Sequence, residues 1–359
     1  MANLKQLSEK LGLSQTTVSR ALNGYPEVSP STRKRVMEAA SRHNYSPNPR
    51  ARGLATGKSA TIGHVVPLST HQMINPHFSD FIAGAGEVYE QRGYDMLISI
   101  TDASNEAETY RKLKRDRRVD GVIVHGPLAG DPRIELLQEL DIPFVVHGRT
   151  LEGEDNYHWV DVNNRRSFRQ ATEHLISLGH RRIALVNGFE HMVFAIKRLE
   201  GYREALNAAG LEPDSALSAS GDMTEPQGYL AMRRFLDHDN PPTAVLCASM
   251  LPAMGVMRAV QERGLEPGKD ISIIAHDDCL SFLMSDFGQW SMTVMRSGIR
   301  EAGQVCAKML IDIIEGEAVQ NHHLLEAAFV KGTTTALVPE RHTSIPLTTM
   351  ANRAISGPD

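Results

Sequence analysis

Several features are scarce in this 359-residue chain, and each absence narrows what it can be. No run approaches the roughly 18 apolar residues that span a bilayer, so no transmembrane helix is expected. A helical pattern starts almost at residue 3 with no apolar signal-peptide core, which makes a cytoplasmic protein the expectation. Only three cysteines occur, Cys247, Cys279 and Cys306, and they lack metal-ligand spacing. That excludes a disulfide framework and fits a reducing compartment. Catalytic signatures are missing as well: there is no P-loop, no His-Glu-x-x-His and no Gly-x-Ser-x-Gly. Gly84-Ala-Gly86 lacks the third glycine of a dinucleotide fingerprint and falls inside a helical stretch, where close helix packing explains it better. His322-His323 has no partner at metal spacing. Asp277-Asp278 are neighbours at a strand end and point opposite ways, so they do not converge on one substrate. Neither enzyme activity nor a metal or other cofactor is expected.

What the chain does have is a distinctive first 58 residues. Leu4, Leu7 and Leu11 recur at helical spacing until Gly12-Leu13 breaks the run. Ser14 can cap a second helix from Gln15 to about Leu22, whose Val18 and Leu22 face the first. Two short helices across a glycine-containing turn read as a helix-turn-helix. Ser29-Pro30-Ser31 opens a third helix, with Val36, Ala39 and Ala40 inward and Arg33, Lys34 and Arg35 outward. The polar face of the second helix offers Gln15, Thr16, Thr17, Ser19 and Arg20, side chains short enough to approach base edges. Arg20 can make the two-pronged contact that guanine presents in the major groove.

Charge points the same way. Residues 1–58 carry ten Lys or Arg against three acids, a net +7 in a chain of net −5, so the remainder carries −12. A basic head on an acidic body is the pattern expected when only the head meets phosphate. The plainer alternative is a small three-helix domain with a solvated basic face.

The stretch from Leu13 to Gly63, including Asn44-Tyr45-Ser46-Pro47-Asn48, resembles the DNA-binding head of the LacI/GalR family of bacterial repressors. The resemblance implies a head at 1–48 and a hinge at 49–59 that folds into a helix only when paired with its dimer mate on the operator. Leu54 stands where the family wedges a leucine into the central minor-groove step, with Ala55 beside it and Arg50, Arg52 and Lys58 near phosphate. The DNA contacts expected are therefore Ser14, Gln15, Thr16, Thr17, Ser19, Arg20 and Asn23 from the head, and Arg50, Arg52, Leu54 and Ala55 from the hinge.

Beyond residue 60 short apolar strands alternate with helices. Strands are expected at 61–67, 95–100, 121–125 and 143–147, with helices at 78–93, through about 118, and at 133–140. The rhythm restarts with a helix at 167, strands at 182–187, near 217, at 244–247 and at 271–275, and helices at 197–209, 226–236 and up to 263. A last helix, 299–315, and a strand near 324–329 close the body. Such alternation means α/β architecture, with parallel doubly wound sheets in two tandem lobes. Leu178–Leu185, Arg198–Leu206 and Asp270–Asp278 are similar to the family's second lobe. The resemblance implies a periplasmic-binding-protein-like body at 60–339. Lobe one is then about 60–162 plus 291–322, and lobe two about 163–290 plus 323–339. Residues 340–359 form a tail, expected to be disordered and to offer no leucine heptad for tetramers.

In that fold a small molecule lies outside the carboxyl ends of the strands, between the lobes. Residues at those ends are His71, Phe78, Asp102, His125 and Arg149 in the first lobe, with Phe78 the candidate stacking face. By resemblance, Arg198 stands at the family's effector-clamping arginine and Asp277 at its sugar-hydroxyl acceptor. Met223 replaces a common aromatic, and Ser249-Met250 replaces a common Asn-Asp. The resemblance implies a homodimer that reads a near-palindromic double-stranded operator. Effector binding would close the lobes and pull the hinges apart. The expected effector is a sugar, an α-glucoside by overall likeness to rhizobial regulators of the family. A purine or nucleoside corepressor is the alternative, and a ligand-binding transport protein a weaker one.

Overall fold

The computed structural model describes residues 3–22, 24–43, 45, 58–67, 76–277 and 292–338. The expected hinge residues Arg50, Arg52, Leu54 and Ala55, together with Asn23, His71 and the tail, lie outside the described residues.

The head is three helices, α1 (Leu4–Leu11), α2 (Gln15–Leu22) and α3 (Pro30–Arg42). Each begins at a residue suited to the task. Asn3 and Gln6 exchange side-chain-to-backbone bonds in a capping box, and Gly12 ends α1 in the left-handed region at φ 62°. Ser14 Oγ accepts from the Thr17 amide at 3.0 Å. Ser29 Oγ accepts from the Thr32 amide at 3.2 Å, with Pro30 in the first turn. Leu7, Val18, Ala21, Val28, Val36 and Ala40 form the buried core. Arg33 departs from its expected outward role. Its guanidinium donates to the Tyr25 carbonyl at 2.7 Å and braces the turn between α2 and α3.

The chain divides into two compact units, Met1–Val160 with Arg300–His323 and Asp161–Ile299 with Leu324–Asp359, so it passes between them three times. The first unit holds β1 (Thr61–Pro67), α4 (Pro76–Arg92), β2 (Asp95–Thr101), α5 (Glu106–Arg115), β3 (Gly121–His125), α6 (Pro132–Glu139), β4 (Phe144–His147) and β5 (His158–Val162). The second holds α7 (Asn164–Ser177), β6 (Ile183–Asn187), α8 (Val193–Ala208), β7 (Ser218–Ser220), α9 (Glu225–Leu236), β8 (Ala244–Cys247), α10 (Met250–Glu262), β9 (Ser272–Asp277) and β10 (Thr293–Arg296). The chain then runs through α11 (Ile299–Glu315), β11 (His322–Leu325) and β12 (Ala328–Val330).

The two sheets have the same winding. Their orders are β2-β1-β3-β4-β5-β11 and β7-β6-β8-β9-β10-β12. Pairing is parallel from β2 to β5 and from β7 to β10, and β12 closes the second sheet antiparallel to β10. Helices cover the sheets, which is why the central strands read as near-continuous apolar runs. Two strands, β5 and β10, were not expected from the sequence. The expected return to the first lobe at 291 also shifts, because β10 pairs with β9 and buries Val294 and Met295 in the second unit. The single strand expected near 324–329 is two strands, one in each sheet.

Backbone-to-backbone helix contacts lock both units. A Cβ on Gly84 of α4 would lie 2.0 Å from the Arg300 carbonyl oxygen of α11, and one on Gly303 would lie 2.2 Å from the Phe81 carbonyl oxygen. The glycine pair of the failed dinucleotide motif is thus accounted for at Gly84 by close packing. In the second unit Gly228 and Gly255 serve the α9–α10 crossing in the same way. Replacing Gly84 with Ala should push α4 off α11 and lower stability by about 1–3 kcal/mol, the usual cost of overpacking. A urea-unfolding midpoint equal to that of the parent protein would contradict this packing.

Candidate functional site

The polar face expected to approach base edges lies on α2. Gln15, Thr16 and Arg20 are exposed, while Thr17 and Ser19 are half-buried. Ser14 and Thr17 are occupied with each other, their hydroxyl oxygens 2.8 Å apart, so they shape the start of α2 and leave Gln15, Thr16 and Arg20 as its outward groups.

In the first unit, the parallel order places the carboxyl ends of β1 and β3 side by side at the point where the winding reverses. His125 ends β3 and His147 ends β4, paired directly in register. Their rings are 6.1 Å apart. Phe78 and Phe81 of α4 close on His125 edge to face, at 5.4 and 4.8 Å between centroids. Beneath them is His64, fully buried in β1, with Nδ1 3.0 Å from His125 Nε2 and Nε2 3.0 Å from the Tyr89 hydroxyl. Burial holds the His64 imidazole down to a pKa of about 3. Burial, and then the neighbouring His64, His147 and Arg133, push His125 well below the usual histidine range. Both rings are therefore neutral at physiological pH.

The exit of β3 is clamped from behind. Arg133 donates to the His125 carbonyl at 3.1 Å and to Asp131 at 2.6 Å, and lies 3.2 Å from Glu106. Burial opposes the Asp131 charge, yet the Arg133 hydrogen bonds and charge outweigh it and hold that carboxyl below its usual range. Of the other expected residues, Arg149 lies over the Trp159 ring at 4.9 Å, and that ring stacks on His322 at 4.7 Å. Asp102 follows β2 and is exposed. Phe78 and His125 are thus brought together, while Arg149 joins a separate aromatic stack.

In the second unit, Arg198 is buried between the rings of Phe168 and Phe194, at 5.1 and 5.0 Å. It donates to Asn164 Oδ1 at 2.7 Å and to the Ala248 carbonyl at 2.5 Å, tying α7 and α8 to the end of β8. Ser249 is buried and caps α10 through the Leu251 amide. Asp277 ends β9 and accepts from Arg296 on the adjacent β10 at 2.8 Å. Met223 packs against the core cluster around Phe168.

Other residues at these edges were not picked out from the sequence. His64, His147, Phe81 and Tyr89 belong to the first set. A signal was available, since Val122-Ile-Val-His125 and Phe144-Val-Val-His147 end alike and a histidine interrupts the apolar run of β1. In the second unit Asn187 ends β6 with Nδ2 donating to the Ala195 carbonyl at 2.8 Å, while its buried Oδ1 has no hydrogen-bond partner among the described residues. Phe189, exposed just beyond β6, stacks on His191 at 5.5 Å. Among the described residues no group of three or more His, Cys, Asp or Glu is arranged to hold a metal ion, and no helix is long and apolar enough to cross a membrane.

Residues 3–48 match the bacterial regulatory proteins of the lacI family, and residues 59–333 match the periplasmic binding proteins and sugar binding domain of LacI family. The chain is 45% identical over 340 residues to the HTH-type transcriptional regulator AglR of Rhizobium meliloti (strain 1021), covering 94% of this chain and 96% of AglR. Among solved structures it is similar to a lac repressor dimer bound to operator and the anti-inducer ONPF, with TM-score 0.80 and 28% identity over 93% of this chain and 99% of that one. It is also similar to a CelR–cellobiose complex, with TM-score 0.69 and 30% identity over 93% of this chain and 100% of that one. These relatives are transcription regulators rather than enzymes, as the missing catalytic motifs led one to expect.

The buried neutral histidines carry a consequence for pH. An unfolded histidine takes its proton near pH 6.5 whereas folded His64 resists until about 3, so the stability His64 contributes is complete above 6.5 and is lost as pH falls towards 3. His125 acts in the same direction. Each such group adds a slope of about 1.4 kcal/mol per pH unit within its window. The urea midpoint of the parent protein should therefore fall on acidification below pH 6.5. His64→Gln should flatten that fall, and an unaltered pH dependence in the variant would contradict the assignment.

Proposed function

The chain belongs to the LacI family of bacterial regulatory proteins, and from that premise we propose that it is a cytoplasmic homodimeric repressor whose hold on a near-palindromic operator is relieved by a sugar. It is a helix-turn-helix transcription regulator with a sugar-binding-type body and is not an enzyme. The observation that carries the proposal is the union, in one chain, of a basic head matched over 3–48 and a body matched over 59–333. The exposed Gln15, Thr16 and Arg20 of α2 read base edges. Hinge residues Arg50, Arg52, Leu54 and Ala55 grip phosphate and the central minor-groove step.

An α-glucoside is the proposed effector class. Support for a sugar comes from the match of residues 59–333 to a sugar binding domain and from the cellobiose, a β-linked glucose disaccharide, of the CelR relative. The α linkage rests on overall likeness to a rhizobial regulator alone. Sugars need paired hydrogen-bonding groups with an apolar face beside them. The strand edges offer candidates for both: His125 in contact with Phe78 in one unit, and Asn187 followed two residues on by exposed Phe189 in the other. Arg198, buried Ser249 and half-buried Met223 complete the proposed effector site from the second unit. Sugar binding weakens the operator complex through a coupling of about 1–3 kcal/mol, the usual range for allostery.

The base-reading half of the proposal is tested on an operator selected from random duplex DNA by the purified protein. Arg20→Ala should cost about 1–3 kcal/mol at that site and relax selection at one base pair of each half-site. Unchanged operator affinity alongside weakened nonspecific binding would move Arg20 from base reading to phosphate contact.

A further inference from the structure

We infer that Tyr89 and His64 form a positioning chain that fixes His125 in a single tautomer, with its Nδ1–H as a permanent neutral hydrogen-bond donor at the carboxyl edge of the first sheet. The effector end of this inference rests on the function proposed above; the tautomer itself does not.

The argument is one of proton counting. Tyr89 O, His64 Nε2, His64 Nδ1 and His125 Nε2 make two consecutive hydrogen bonds of 3.0 Å each. A neutral imidazole has one N–H and one bare nitrogen, so it donates at one side and accepts at the other. Both rings are kept neutral by burial. The chain therefore has a direction, and only two directions exist. If His64 donated to Tyr89, the buried phenolic hydrogen of Tyr89 would need another acceptor. Burial keeps that phenol protonated, and the neighbouring Cys306 is buried and protonated too, so its sulfur is at best a weak acceptor. A buried donor left without a partner costs roughly 1–3 kcal/mol, enough to decide between the two arrangements. The favoured arrangement has Tyr89 O–H donating to His64 Nε2 and His64 Nδ1–H donating to His125 Nε2. The remaining proton of His125 is then on Nδ1.

The surroundings support a fixed role. His64 and Tyr89 are buried within β1 and α4, and the Arg133 clamp holds the His125 carbonyl. Phe78, Phe81 and His147 restrict the His125 ring from three sides. A neutral donor flanked by a phenyl edge suits an uncharged oxygen acceptor, such as a sugar hydroxyl or ring oxygen. It lacks the positive charge that a sugar phosphate would draw upon. His125 is thus a specificity-determining residue, and His64 and Tyr89 are positioning residues that act through it.

The test is a long-range proton–nitrogen correlation spectrum of the full-length protein labelled with nitrogen-15 in histidine, taken near neutral pH without ligand. His125→Gln identifies the His125 signals by their loss. The expected spectrum has Nδ1 of His125 protonated and Nε2 bare. Tyr89→Phe should keep the fold, read by circular dichroism, and shift His125 towards a mixture of tautomers, because His64 then has no donor to orient it. An Nε2-protonated His125 in the parent protein would overturn the inference, as would a Tyr89→Phe protein whose His125 signals do not move. Binding is read separately by calorimetry with maltose, sucrose, trehalose, cellobiose and raffinose. For any of these that the parent protein binds, Tyr89→Phe should lose several-fold in affinity and His125→Phe at least tenfold. A bound sugar indifferent to both variants would overturn the effector role. Failure of every sugar to bind the parent protein would remove that role together with the proposed function, and leave the tautomer result standing.

Discussion

In a parallel sheet every strand delivers its carboxyl end to the same edge, and reversing the winding at the centre leaves two of those ends uncovered by crossing connections. Both body units of this protein obey that constraint with one strand order. Their polar strand-end residues follow from it. His125, His147 and Asn187 are terminal residues of central strands, and Asp277 ends β9 in the same way. The apolar interiors of those strands bury them on both faces, so the first place a strand can present a polar group is its exit. Glycines at the helix crossings let the covering helices pack backbone to backbone.

The same logic separates what could be read in the sequence from what could not. The central strands were legible because double-sided burial makes them continuous apolar runs. Strands nearer the sheet edges were not: β5 carries His158 and Asp161 and β10 runs from Thr293 to Arg296, so neither reads as a continuous apolar run. A sequence pattern also says that a segment is extended without saying which sheet it joins. That is why 324–329 read as one strand when it contributes to two. In the head nearly every element was visible, since Asn3, Gly12, Ser14 and Ser29 are residues whose chemistry marks helix ends.

The candidate sites were legible by position and obscure in their wiring. Phe78 and His125 were reachable as strand-end neighbours, and the structure adds that they touch. Arg198 and Asp277 were placed by resemblance, but their partners Asn164, Ala248 and Arg296 lie far off in sequence and only folding brings them near. His64 went unnoticed because a single histidine in an apolar strand reads as core. It is core, and its importance comes from the two groups it connects. Arg33 shows the converse: its charge read as solvent-facing, whereas its hydrogen bonds go to a turn of its own domain.

Charge divides the labour between head and body. The basic charge of residues 1–58 and the acidic remainder favour contact with phosphate through head and hinge, and in the proposed account the neutral histidine cluster suits the first sheet's edge to uncharged ligands. The central claim is that a sugar governs operator affinity, and fluorescence anisotropy tests it most directly. The full-length protein is titrated onto its selected operator duplex in the presence of α-glucosides, cellobiose, raffinose, purines and nucleosides in turn. The account predicts that at least one sugar raises the operator Kd by about five- to 150-fold, as allosteric couplings of ordinary size do. A Kd unmoved by every sugar, or moved only by a purine or nucleoside, would contradict it.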